Sequence, residues 1–254
     1  MSRLIAIAGK GGVGKTTVAA LLVRQLIERG CRPVLAVDAD PNTCLDAALG
    51  VSAQKTIGGV REEAKDFAGK GMASGMDKQR YLELKIAESL VESDHFDLIA
   101  MGRSEGPGCY CYANNVLKEV LKKMAFRYPY VVLDNEAGLE NLSRRIVQSV
   151  DLLAIVTDPS LRGFETARRL HALALEMGIN HTRLALIVNR LRRPELPDAA
   201  GAVQAATGAD IMIGLPDDAE IFTLAEQGGS LMRLSADNPV AAELNRLLDT
   251  LAPA

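Results

Sequence analysis

The stretch Gly9-Lys10-Gly11-Gly12-Val13-Gly14-Lys15-Thr16-Thr17 limits what this chain can fold into more than any other. It satisfies G-x-x-x-x-G-K-[ST]. It stands between an apolar run of strand length, Leu4–Ala8, and a segment in which Val18, Leu21, Leu22 and Leu26 recur at helical spacing. Glycines let successive backbone N–H groups turn inward onto phosphate oxygens, while the helix that follows presents its positive end to the same group. Gly11, Gly12, Val13, Gly14, Lys15, Thr16 and Thr17 are therefore candidate nucleotide-binding residues. Lys15 would reach the β and γ phosphates of a nucleotide, and the Thr16 hydroxyl would ligate Mg²⁺.

The rest of the chain supplies a scaffold of the kind such a loop needs. Apolar runs at Val34–Val37, Phe96–Met101, Tyr130–Leu133, Leu152–Thr157 and Leu184–Asn189 lack polar alternation, as strands covered on both faces do. Helical spacing returns between them, at Phe164, Ala167, Leu170, Leu173 and Met177 before Gly178. This alternation predicts an α/β fold: a doubly wound, mostly parallel sheet flanked by helices, with residues 1–254 as one P-loop domain. The irregular stretches 50–80 and 102–111 read as surface excursions, and Gly214–Asp218 as a loop. Ala241, Leu244, Leu247, Leu248 and Leu251 predict a terminal helix docked on the domain's own core, since it lacks the basic face of a membrane anchor. With 29 Lys and Arg against 32 Asp and Glu, the net charge of -3 argues against nucleic acid and anionic lipid as partners. No run is long enough to span a membrane, no secretion signal is visible, and four cysteines are too few for a disulfide scaffold; a cytoplasmic location with reduced thiols is expected.

Further residues suit nucleotide chemistry. Asp134 ends an apolar strand, where a carboxylate can hold Mg²⁺ through water. Gly138, four residues on, can offer its N–H to a γ phosphate and move when that phosphate leaves. Lys10 places a second lysine at the start of the loop. In that form the loop resembles the deviant P-loop of nitrogenase iron protein, the Min and Par partitioning ATPases, arsenite-pump ATPases and metallocluster maturation ATPases. The resemblance implies that Lys10 crosses a homodimer interface to the partner's nucleotide, so that Lys10, Lys15 and Asp40 would be catalytic. By the same resemblance Asp40, in Asp38-Ala-Asp40-Pro41, orients the attacking water, Asp38 lies near the magnesium, and Asp40, Asp134 and Gly138 form the switch. Asn189 matches the position at which relatives contact adenine, and Asn189-Arg190-Leu191-Arg192 departs from the Asn-Lys-x-Asp of guanine sites, which favours ATP.

Cys109-Tyr110-Cys111 is the remaining candidate. On an extended segment both thiols project to one side, and their sulfurs can approach the edge of about 3.8 Å of a tetrahedral metal site. One chain gives two ligands, and a two-fold dimer gives four. Spacing alone equally fits two small hydrophobes in a turn. Cys31 reads as packing and Cys44 as a buried thiol, while His95, His171 and His181 read as ordinary surface or helix residues. Arg144, Arg145 and the arginines of 183–193 read as solvated charge.

The loop with Lys10, the Asp-Ala-Asp-Pro turn, Cys-Tyr-Cys and Asp134-Asn-Glu-Ala-Gly-Leu-Glu-Asn-Leu-Ser-Arg-Arg together resemble the CooC-type ATPases that mature carbon monoxide dehydrogenase. The likeness covers essentially the whole chain. It implies an ATP- or metal-linked homodimer that handles nickel for that client, with Ni²⁺ or Zn²⁺ on Cys109 and Cys111 of both copies. Asn135 and Glu136 stand where partitioning relatives often carry proline or glycine. Two other classes share the loop: an iron-protein-like reductase with an iron–sulfur cluster, and a Min- or Par-like positioning ATPase.

Overall fold

The computed structural model describes residues 2–60, 84–85, 87–103, 117–119, 121–138 and 149–251. Cys109, Cys111, Arg144, Arg145, most of the stretch 50–80 and residues 104–111 of the glycine-rich stretch 102–111 lie outside them.

The described strands form one eight-stranded sheet: β1 (Arg3–Gly9), β2 (Val34–Asp38), β3 (Val91–Glu92), β4 (Phe96–Ala100), β5 (Tyr130–Asp134), β6 (Ser149–Thr157), β7 (Asn180–Leu191) and β8 (Ile211–Pro216), in the order β3-β4-β2-β5-β1-β6-β7-β8. All pairings are parallel except the short β3 against β4. The helices that carry the argument are α1 (Lys15–Glu28), α2 (Leu45–Leu49), α3 (Leu161–Glu176), α4 (Ala199–Thr207), α5 (Ala219–Glu226) and α6 (Pro239–Asp249).

Alternation within each strand divides the interior into two cores. Ile5, Ile7, Val34, Ala36, Val132, Leu152 and Ile187 pack with Val18, Leu22 and Leu26 of α1 and with Leu244 and Leu248 of α6. Their neighbours Ala6, Ala8, Leu35, Val37, Val131, Leu133 and Leu153 pack on the opposite face with Ala167, Leu170 and Ala174 of α3. Burial on both faces is why the strands read as unbroken apolar runs. The doubly wound α/β prediction is correct, and the terminal helix docks on the core as expected.

The sheet differs from the sequence reading at its right-hand edge. Gly214, Leu215 and Pro216 belong to β8 and not to a loop, because β8 pairs with β7 from Ala185↔Ile211 to Leu191↔Pro216. β7 runs past Asn189 to Leu191 through an irregular register, with Arg190 in the left-handed region at φ 60. His171 is a helix residue, as expected, and is buried on α3 with its ring 5.7 Å from that of His181. Cys44 is exposed where a buried thiol was expected, because it stands in the turn that leads into α2. Among the described residues no helix is long and apolar enough to cross a membrane.

β1 lies between β5 and β6, and the strand order reverses around it. In an open α/β sheet the crevice at the carboxyl ends beside such a reversal is where ligands sit. The glycine loop leaves the sheet there.

Candidate functional site

The loop turns directly from β1 into α1. Gly9 has φ 156, and a side chain on it would collide with the Val156 carbonyl of β6, while its own carbonyl accepts the Gly138 N–H at 3.0 Å. Gly14 has φ 95, and a side chain there would strike the Asn189 amide. Helices α3, α5 and α6 each begin with a side-chain cap, from Ser160, Asp218 and Asn238. Helix α1 has none, and no acidic residue in its first turn. Its free N–H donors and the positive end of its dipole therefore face the loop, an arrangement that favours an anion.

Lys15 is buried, and its Nζ donates to the Lys10 carbonyl at 3.3 Å, which folds the side chain back over the loop. Burial lowers its pKa, opposed by the negative charges of Asp134, Asp40 and Glu136. Lys10 itself is exposed. Asp158, at the end of β6, feels its charge: burial disfavours the Asp158 carboxylate, but Ser160, Lys10 and Arg190 outweigh that and hold its pKa below the usual range.

The carboxyl ends of β2 and β5 bring Asp38 and Asp134 into register. The two carboxylates differ in what they bond. Asp38 accepts the backbone N–H groups of Asp40 at 3.0 Å on Oδ1 and of Cys44 and Leu45 at 2.9 Å on Oδ2. It thereby fixes the turn that follows β2. Burial still raises its pKa against those bonds. Asp134 is equally buried, yet neither of its oxygens has a hydrogen-bond partner of good geometry. Its pKa is pushed up to about 7 by burial, with the nearby Thr16 hydroxyl and Lys15 only partly opposing. Two orphaned, buried carboxylate oxygens beside the Thr16 hydroxyl suit a hydrated divalent cation.

Asp40 lies within electrostatic reach of Lys15, and its Oδ1 accepts both the N–H and the Nδ2 of Asn42, at 2.8 and 3.0 Å. Exposed Cys44 has its pKa raised by partial burial and by Asp38, Asp40, Asp134 and Asp46, so its thiol stays protonated.

Asn189 donates from Nδ2 to the Val13 carbonyl at 2.8 Å and accepts the Arg190 N–H at 2.9 Å. It thus ties β7 to the loop, and it lines a cavity of about 130 Å³ with Gly14, Thr17, Pro216, Asp218 and Phe222. In the sequence Asn135 stands out only as a departure from the partitioning relatives, with no role assigned. Its N–H and Nδ2 both donate to the Ile7 carbonyl, at 3.2 and 2.8 Å, clamping β5 to β1 beneath the loop. Only its position directly after a strand-end aspartate hinted at this. The structure thus gathers Lys10, the 11–17 segment, Asp38, Asp40, Asp134, Gly138 and Asn189 at the carboxyl ends of the strands around β1. Cys109 and Cys111 lie outside the described residues, among which no group of three or more His, Cys, Asp or Glu is placed to hold a metal ion.

Residues 2–177 match the model of a family described as an AAA domain. The chain is 39% identical over 249 residues to an uncharacterized ATP-binding protein of Methanocaldococcus jannaschii, covering 98% of each. It is 32% identical over 244 residues to the carbon monoxide dehydrogenase accessory protein CooC of Rhodospirillum rubrum, covering 91% of this chain and 90% of that protein. Among solved structures it resembles the septum site-determining protein MinD of Pyrococcus horikoshii in complex with Mg-ADP, with a TM-score of 0.71 at 22% identity over 100% of both chains.

Proposed function

This chain belongs to the P-loop ATPases of the MinD and ParA family, and from that premise we propose that it is a metallocluster maturation ATPase that carries nickel or zinc as cargo. One observation carries the reading: Cys109-Tyr110-Cys111 occurs in a chain that aligns over 91% of its length with an accessory protein of carbon monoxide dehydrogenase. Carbon monoxide dehydrogenase is accordingly the proposed client. The location is cytoplasmic, with neither membrane nor nucleic acid as partner.

In this reading ATP phosphates occupy the loop of residues 11–17 and the uncapped start of α1, with Lys15 swinging from the Lys10 carbonyl onto the β and γ phosphates. Thr16 and Asp134 would hold Mg²⁺, the one directly and the other through water. When bound, that ion neutralises charge on the β and γ oxygens. Asp38 acts one step back, because its oxygens are spent on the turn that aims Asp40. Asp40 orients the attacking water. Asn189 fixes the loop and borders the base. Lys10 of a second copy supplies positive charge where negative charge grows in the transition state, which makes hydrolysis dimer-dependent. Gly138, whose N–H donates to the Gly9 carbonyl in this structure, would exchange that bond for the γ phosphate and so relay its loss. The cysteines of two copies then form one four-thiolate site for the cargo.

Replacing Cys109 and Cys111 together with serine is expected to abolish binding of one metal ion per dimer, measured by elemental analysis after size exclusion, while ATP binding persists. Unchanged metal content in that variant overturns the reading.

A further inference from the structure

Unlike Asp38 and Asp134, which end strands, Asp40 lies beyond the end of β2. It stands in a turn, and among the described residues its carboxylate is held by Asn42, whose N–H and Nδ2 both donate to Oδ1. Asn42 is fully committed. Its N–H and Nδ2 bind Asp40, and its remaining oxygen, Oδ1, accepts from the Arg103 guanidinium at 2.7 Å.

Arg103 is itself anchored. Two residues earlier, Met101 donates its N–H to the Asp38 carbonyl and accepts the Gly58 N–H, both at 2.8 Å. Gly102, at φ 63, packs so closely on Thr56 that no side chain fits there. The bonds close a ring: from Asp38 across to Met101, along the chain to Arg103, through its side chain to Asn42, and back to Asp40. The turn inside this ring is strained, because Thr43, a β-branched residue, holds φ 47. A strained turn keeps its shape only while its surroundings enforce it. Asp38 enforces it from within, and Arg103 is the external brace.

We propose that Arg103 is a positioning residue for hydrolysis, holding the Asp40 carboxylate beside Lys15 through Asn42. The proposal rests on the reading that Asp40 orients the attacking water. Among the described residues the hydrogen bond of the Arg103 guanidinium goes to Asn42 and not to the loop, so its loss should misdirect Asp40 and leave nucleotide capture alone. A misplacement of about 1 Å at a reacting group costs up to about a hundredfold in rate.

The test is steady-state ATPase kinetics on the full chain for Arg103→Ala, Arg103→Lys, Asn42→Ala, the Arg103→Ala/Asn42→Ala double variant and Asp40→Asn. The expected result is a fall in kcat of about tenfold for Arg103→Ala with KM held within about twofold. Arg103→Lys, which keeps a donor on a long stem, recovers most of the loss. The double variant is no slower than the slower single one, as two members of one relay require. A kcat unchanged in Arg103→Ala, a KM that rises as much as kcat falls, or losses that multiply in the double variant each overturn the proposal. Asp40→Asn separates the levels. If it hydrolyses ATP at the wild-type rate, the role of Asp40 falls and the proposal with it. If it is inactive while Arg103→Ala is not slowed, only the brace is wrong.

Discussion

Burying Asp134 with both carboxylate oxygens unbonded raises its pKa to about 7, against about 3.9 for an aspartate in an unfolded chain. Between those values the folded state holds a proton that the unfolded state has released. Its contribution to stability is complete at low pH and is lost as pH rises through about 7. The nucleotide-free protein should therefore melt progressively lower than Asp134→Asn as pH increases toward 7, with the gap constant above it. The slope is at most about 1.4 kcal/mol per pH unit, and each kcal/mol moves the melting temperature by about 2–4 °C. Thermal unfolding of both forms across that range checks it, and a gap that ignores pH removes Asp134 as the cause. At this scale the sequence was legible where a residue's chemistry is local. Lys15, Thr16 and the loop glycines declare themselves by spacing. Asp38 and Asn135 do not, because what each does depends on donors and acceptors that only the folded chain supplies: three backbone amides for one, the Ile7 carbonyl for the other.

Helix α6 shows how an element is secured. Asn238 is buried, and its Oδ1 accepts the Val240 and Ala241 N–H groups at 2.9 and 3.4 Å while Nδ2 reaches Glu220 of α5 at 3.1 Å. Pro239 follows at the first helical position, where its missing N–H costs nothing. Asn238→Ala should cost about 1–2 kcal/mol, read as a lower denaturant midpoint with unchanged slope. A smaller loss would mean that packing of Leu244, Leu247 and Leu248 fixes the helix by itself. The elements found from sequence are those with one strong period, such as α1 and α3. Helix α5 escaped because it is only 8 residues long and its apolar Ile221 and Leu224 are only half-buried on the core, and β8 because an edge strand with half-buried positions and a glycine looks like a loop. The cysteine segment was legible as chemistry only, through two thiols at a spacing a metal accepts.

At the scale of the molecule, Lys10 is exposed while Lys15 is buried and folded back over the loop. If two copies share the work, ATPase activity per chain should rise with protein concentration and level off. Lys10→Ala should stay flat and slower by about a hundredfold or more. Activity assayed over a dilution series decides it, and equal activity at every concentration in the unmodified chain removes the dimer from the mechanism. The same loop has a further property. β1 pairs with β5 and β6, and the bond from Asn189 to Val13 closes across 176 positions. During synthesis the motif remains an unfinished ribbon until β7 follows. Nucleotide capture therefore waits on β7, and a chain that retains ATP has by that fact brought Asn189 back to the loop.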